Sequence, residues 1–214
     1  MNKYFCIFLL LFSIISQPSF AQETKKKGNG FGIVAGAGYN TMNFTINAAK
    51  GGDSAVSLHH LWMQPCVRVH YDIYLTRLGT NAILKLKPFL GYYAFGGKQK
   101  PADTGNYVIY SFASIEAGVG VAFAIKDMFQ ITPLLKAGYI MSATRRSMGP
   151  HQFSPHDVKT EFTSMEASVG LQLRYYIKHI TIGAEAWYGL TNFNKAKGKT
   201  ARENNYRLLV GYEF

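Results

Sequence analysis

Past its first fifteen or so residues the chain has no apolar run approaching the roughly 18 residues a membrane helix needs, and no stretch keeps a helical period. A helical membrane protein is therefore excluded, while a barrel, whose strands alternate, is not. Cysteine is almost missing, with Cys6 and Cys66 the two in the chain. Cys6 belongs to an N-terminal segment expected to be removed, at the start of its apolar run and not just after it, which speaks against a lipidated N-terminus. Cys66 is then alone, so the mature chain forms no intramolecular disulfide although its destination permits one. Acid is scarce too: 12 Asp and Glu against 23 Lys and Arg give a formal charge of +11. Such an excess of base ordinarily points to nucleic acid, which an exported chain does not meet, so no nucleic acid partner is expected.

The start supports export. "MNKYFCIFLLLFSIISQPSFAQ" sets Lys3 before an apolar run from Phe5 to Ile15, then breaks at Gln17 and Pro18, with small residues at Ser19 and Ala21. This is the layout of a secretory signal peptide. The expected organisation is a signal peptide over 1–21, a flexible periplasmic leader "QETKKKGNG" over 22–30, and one domain over 31–214.

That domain is built of alternation. The segment "MEASVGLQLRYYI" (165–177) places Met165, Ala167, Val169, Leu171, Leu173, Tyr175 and Ile177 on one face, with Glu166 and Arg174 on the other. Similar segments cover 31–46, 61–76, 82–96, 107–125, 129–143, 161–177, 180–193 and 205–214, predicting eight strands. Their connections alternate as well. "AAKGGDSAVS", "GKQKPADTGN", "TRRSMGPHQFSPHDVK" and "NKAKGKTARENN" are long and polar, whereas "RLGTN", "KDM" and "KH" are short. Long loops at one end and tight turns at the other predict an all-β fold, an eight-stranded antiparallel up-and-down transmembrane barrel.

The faces agree with one another. Arg68, Asp72, Lys85, Lys87, Glu116, Lys136, Glu166, Arg174, Glu185, Arg207 and Glu213 all fall on the register opposite the apolar one. Ile177 and Ile180, flanking "KH", are both apolar-face residues, as are Ile125 and Phe129 flanking "KDM", so the registers hold through the turns. The apolar register also tends to begin and end in aromatics: Phe31, Phe123, Phe129, Tyr175 and Phe214 on the turn side, Tyr39, Tyr92, Tyr139, Tyr188 and Tyr206 on the loop side. Two such belts suit the two membrane interfaces. Apolar residues then face lipid, and Arg68, Asp72, Lys85, Lys87, Glu116, Lys136, Glu166, Arg174, Glu185 and Arg207 form an ion-pair network inside a barrel just wide enough to be filled by side chains.

A closed interior gives a substrate no access, so Glu116 and Glu166 are not read as an acid–base pair and no catalytic residue is assigned. His151, His156 and Asp157 in the third long loop form a weak metal set in a flexible segment, with His59 and His60 in the first loop as further donors; no metal and no cofactor is expected. Cys66 reads as a small buried residue. The loops are basic, with Lys50, Lys98, Lys100, Arg145, Arg146, Lys159, Lys195, Lys197, Lys199 and Arg202 against Asp53, Asp103, Asp157, Glu161 and Glu203. Outer-membrane lipid and the phosphates of lipopolysaccharide are the expected partners of that rim, beside an unidentified extracellular ligand.

The end of the chain, "YRLLVGYEF", resembles the C-terminal signal read by the barrel-assembly machinery, carried here by Val210, Tyr212 and Phe214. With "FAQ", the Gly-rich "FGIVAGAGY", "GVGVAF" and "VGYEF", the mature chain resembles the PorT-like, outer-membrane-protein β-barrel-domain family and, more distantly, the OmpX and OmpA barrels. The resemblance implies a small envelope barrel. The function expected is non-enzymatic: a closed polar interior, with the extracellular loops acting in envelope integrity, adhesion or partner binding. Two alternatives are a lipid-modifying barrel enzyme using His151, Ser154 and Asp157, and a secreted lipocalin-like carrier of an apolar ligand.

Overall fold

In a computed structural model, residues 29–48, 52–59, 64–99, 107–126, 128–148, 153–195 and 200–214 are described. The expected signal peptide, and the leader up to residue 28, lie outside the described residues. Ten strands form one antiparallel sheet: β1 (Gly30–Ala48), β2 (Gly52–His59), β3 (Gln64–Leu78), β4 (Ala82–Gln99), β5 (Tyr107–Ile125), β6 (Phe129–Met148), β7 (Phe153–Asp157), β8 (Met165–Ile177), β9 (Ile180–Gly189) and β10 (Thr200–Glu213). Eight of them close a ring. Each pairs with the next in the sequence β1, β3, β4, β5, β6, β8, β9, β10, and β10 returns to β1 from Gly32↔Glu213 to Thr45↔Thr200. The tight turns sit where the pattern puts them, with Leu78↔Ala82, Ile125↔Phe129 and Ile177↔Ile180 as the last pairs of their hairpins.

β2 and β7 lie outside the ring. β2 doubles back on the outer half of β1, from Thr41↔His59 to Ala48↔Gly52, and β7 pairs with the end of β6. Both fall in stretches read from the sequence as polar loops. Beyond the bilayer a hairpin needs backbone pairing but no apolar face, so its alternation carries no hydropathy signal. Other limits also shift: β3 starts at Gln64, β8 at Met165, β9 ends at Gly189, and β10 begins at Thr200. Residues 161–164, expected in a strand, instead close a 3-10 turn (Lys159–Glu161) and make a bridge, Phe162↔Asn194.

The two faces are separated cleanly. Leu135, Leu171, Leu173, Ile182, Leu208 and Val210 are exposed on the outside, while Arg68, Asp72, Lys87, Glu116, Lys136, Glu185 and Arg207 are buried within. This overturns the carrier alternative, because a cup for an apolar ligand needs the opposite orientation. Near the loop end of β6 the alternation skips at Met141 and Ser142, where a bulge shifts the pairing between Ala113 and Ser114. Ile140 and Ala143 are consequently both buried. Large interior side chains are received by glycines on neighbouring strands: the Phe89 ring lies over Gly118, and the Trp187 indole over Gly170, where a Cβ would collide with either ring.

Candidate functional site

The interior holds three tiers. The middle one centres on Glu116 of β5, which takes Arg68 Nη2 at 2.6 Å and Arg207 Nη1 at 3.0 Å on one carboxylate oxygen and Lys136 Nζ at 3.2 Å on the other. Glu185 of β9 accepts from the other side of the Arg68 guanidinium, from Gln172 Nε2, and from the Trp187 indole nitrogen at 2.8 Å. Aromatic faces complete the shell: Arg68 lies 4.3 Å from the centroid of Phe89, Lys136 lies 3.7 Å and Arg207 4.3 Å from that of Tyr93. Charges survive in such a place because each is paired and hydrogen-bonded.

The turn-side tier joins Asp72, Lys85, Lys87, Arg174 and Glu213 with three residues the sequence reading left aside, His70, Gln130 and Tyr176. Lys87 Nζ stands 3.2 Å from Asp72 and Lys85 Nζ 3.4 Å from it, while Arg174 Nη1 donates to Glu213 at 2.9 Å. His70 Nε2 is 2.9 Å from the same Glu213 oxygen. The loop-side tier brings Glu166 and Glu203 to either side of the Tyr93 hydroxyl, which donates to Glu166 and stands 3.2 Å from Glu203. The sequence pattern places Glu203 among the loop acids; in the fold it is buried inside. The clue was available, since Ala201, Glu203, Asn205, Arg207 and Leu209 continue one alternating face.

Above that tier the mouth is shut. Phe95 of β4 stacks on Phe112 of β5 with centroids 4.8 Å apart, and Phe162 and Phe193 close on Phe112 at 5.0 and 5.7 Å. All four rings are at most 2% exposed. The last two come from connecting segments folded inward and tied together, with Thr163 N donating to Phe193 O at 2.7 Å and Lys195 N to Glu161 O at 3.0 Å. This cap escaped the sequence reading because its members are scattered over four segments and Phe162 and Phe193 sit where strands were expected.

His60 and His151, and the side chains of His59 and Ser154, lie outside the described residues. His156 and Asp157 are neighbours on β7 and both exposed, Asp157 accepting from Lys159 N at 2.8 Å. Among the described residues no three His, Cys, Asp or Glu side chains group as a metal site. Cys66 is buried. At the C-terminus Val210 and Tyr212 are exposed on the outer wall, and Phe214 packs its ring 5.8 Å from Phe31 while its N–H donates to Phe31 O at 2.8 Å.

A closed ring with an apolar exterior and a paired, charged interior is a transmembrane β-barrel. The chain belongs to the outer membrane protein beta-barrel domain family, whose model matches residues 7–214. It is an outer-membrane protein. Among solved structures it is similar to the Yersinia pestis attachment invasion locus protein Ail in complex with the heparin analogue sucrose octasulfate, at 13% identity and a TM-score of 0.43, covering 86% of this chain and 99% of that one. It is also similar to Neisserial surface protein A, at 13% identity and 0.49, covering 86% and 97%. The Escherichia coli outer membrane protease OmpT matches at 11% identity and 0.42, covering 87% and 96%. No curated protein matches the chain.

Proposed function

We propose that this barrel is non-enzymatic, that its interior is a structural core, and that it acts through its extracellular loops in envelope integrity, adhesion or partner binding. The observation that carries this reading is the cap of Phe95, Phe112, Phe162 and Phe193 over a lumen already filled with ion pairs. Nothing of substrate size enters from that end, so the surface left to work is the rim. The long loops mark that rim as extracellular and the tight turns as periplasmic. Arg145, Arg146, Lys195 and Arg202 are exposed there, and the Lys159 ammonium sits 5.4 Å from the Tyr139 ring centroid at the loop-side belt. That arrangement suits the phosphates of lipopolysaccharide, with the aromatic belt seated in the interface below. The terminal Val210, Tyr212 and Phe214 serve the barrel-assembly machinery.

The test is reversal of the rim. With Arg145, Arg146 and Arg202 changed to Glu, the protein should still reach the outer membrane and still migrate faster unheated than boiled on an SDS gel. Its binding to lipopolysaccharide-coated surfaces at low salt should fall several-fold. Unchanged binding rejects the rim as the working surface. A detectable turnover of lipid A or peptide by the purified barrel rejects the non-enzymatic reading.

A further inference from the structure

The turn-side tier is not electrically closed. It contains Lys85, Lys87 and Arg174 against Asp72 and Glu213, one more cation than anion even before His70 is counted. Lys87 and Arg174 act on each other as like charges, a costly arrangement in a buried space.

The hydrogen-bond donors there are also incompletely used, in a directional way. Gln130 of β6 lies directly across from Arg174 of β8. Its amide orientation is fixed, because its oxygen accepts from Lys87 Nζ at 2.9 Å and from the Tyr176 hydroxyl. The amide nitrogen of Gln130 is thereby forced to be a donor pointing elsewhere, and it has no partner. Arg174 spends one nitrogen, Nη1, on Glu213 and His70, while Nε and Nη2, which together form the two-pronged side of a guanidinium, have none. The Tyr176 hydroxyl, which donates to the Gln130 oxygen, also stands within hydrogen-bonding reach of the Arg174 guanidinium, and the next inward residue of β6, Thr132, has an unpartnered hydroxyl at 0% exposure. Gln130 and Arg174 are themselves 1% and 3% exposed.

Buried donors are satisfied in native proteins, and the Nε–Nη2 edge of arginine matches two oxygens of a carboxylate or phosphate. The two ends of the lumen differ. The loop-side cap is sealed, whereas the side chains of Lys85 and Glu213 at the turn side keep 19% and 14% of their exposure.

We propose that the turn-side half of the barrel is a binding site for one small oxyanion, entering from the periplasmic end. Two of its oxygens rest on Arg174 Nε and Nη2, Gln130 Nε2 and the Thr132 hydroxyl donate to it, and Lys87 supplies the second positive charge. The anion removes the charge excess and lies between the two cations that otherwise oppose each other. A phosphate and a short carboxylate share this chemistry.

The full-length barrel, folded in detergent, would be heated in sodium phosphate, sodium acetate or sodium chloride at matched ionic strength and pH, with the unfolding midpoint followed by tyrosine circular dichroism and the heat-dependent gel shift. The expected result is a midpoint that climbs with phosphate or acetate and saturates as mass action requires, while chloride at the same ionic strength gives a much smaller rise. The anion with the lower half-saturation identifies the preferred oxyanion. In Gln130→Glu the first carboxylate oxygen keeps the bonds from Lys87 and Tyr176, and the second occupies the donor's place and cancels the excess charge. That variant should fold, be more stable in chloride, and lose the oxyanion response. Thr132→Val, which removes one donor without adding charge, should raise half-saturation several-fold and serves where Gln130→Glu does not assemble. Equal midpoints in all three salts, or a response in the variants equal to that of the wild type, would overturn the proposal and leave these donors to water.

Discussion

Arg68 and Glu116 meet at 2.6 Å in the middle of the lumen, with side chains 4% and 1% exposed. Glu116 is simultaneously the acceptor for Lys136 and Arg207, so one carboxylate on β5 binds cations from β3, β6 and β10. These strands are not all neighbours in the ring, and the contact braces the barrel across its diameter.

Removing that carboxylate's charge should be far costlier than losing a surface ion pair. Glu116→Gln leaves Arg68, Lys136 and Arg207 with Glu185 as the one acid of that tier, and breaking a buried ion pair on one side costs about 3–5 kcal/mol. Urea titration of the folded barrel in detergent measures this. A loss below about 1 kcal/mol, the size of an exposed pair, would mean that the interior is hydrated enough to screen the hub.

The outer wall has the opposite sensitivity. Leu135 is 51% exposed between Phe129 and Tyr139 on the outside of β6. Leu135→Arg is expected to cost about 2–4 kcal/mol in a bilayer, as lipid-facing arginine near the midplane does. The same unfolding titration in lipid vesicles checks it, and no loss there would place this face away from the acyl chains.

Loosening the cap should act locally. Phe112 touches Phe95, Phe162 and Phe193, and Phe112→Ala removes packing worth about 3–5 kcal/mol when a large core ring is truncated. Amide exchange at Thr163 and Lys195, whose N–H groups tie the two inward-folded segments together, should accelerate strongly. Exchange in β8 and β9 near the turn side should change little. Uniform acceleration throughout would show that the cap and barrel unfold as one unit.

Phe214 is the position at which assembly and stability should come apart. Its ring touches Phe31 and Tyr212 at the turn-side edge, a contact whose loss the rest of the β1–β10 seam can tolerate. Phe214→Ser should lower the amount of barrel reaching the outer membrane in cells by several-fold, yet refold from urea into detergent almost as well as the wild type. Equal failure in both settings would make the residue a structural clasp and not a recognition signal.

Much of this architecture was legible in the chain. A period of two with charges confined to one face, as in Glu166 and Arg174 against Leu171 and Leu173, requires one apolar and one polar environment; long loops alternating with short turns such as "KH" then favour lipid outside and a packed lumen within, and set the register between strands. Hydropathy loses its grip where lipid ends. The pairing of β2 on β1, the inward fold of residues 159–164, and the burial of Glu203 all lie beyond the loop-side belt, where either face of a strand can meet water and alternation is unconstrained.

What the amino-acid sequence determined by itself was which residues of each strand share a face, because a period of two separates apolar from charged side chains whichever of the two faces meets the outside. Which charges meet was decided by the tertiary structure. Arg68, Glu116, Glu185 and Arg207 are separated by up to 139 positions yet share one tier, because ring closure and strand stagger bring residues from opposite walls to the same height. The aromatic cap arises in the same way, from side chains converging across a lumen that no single strand encloses.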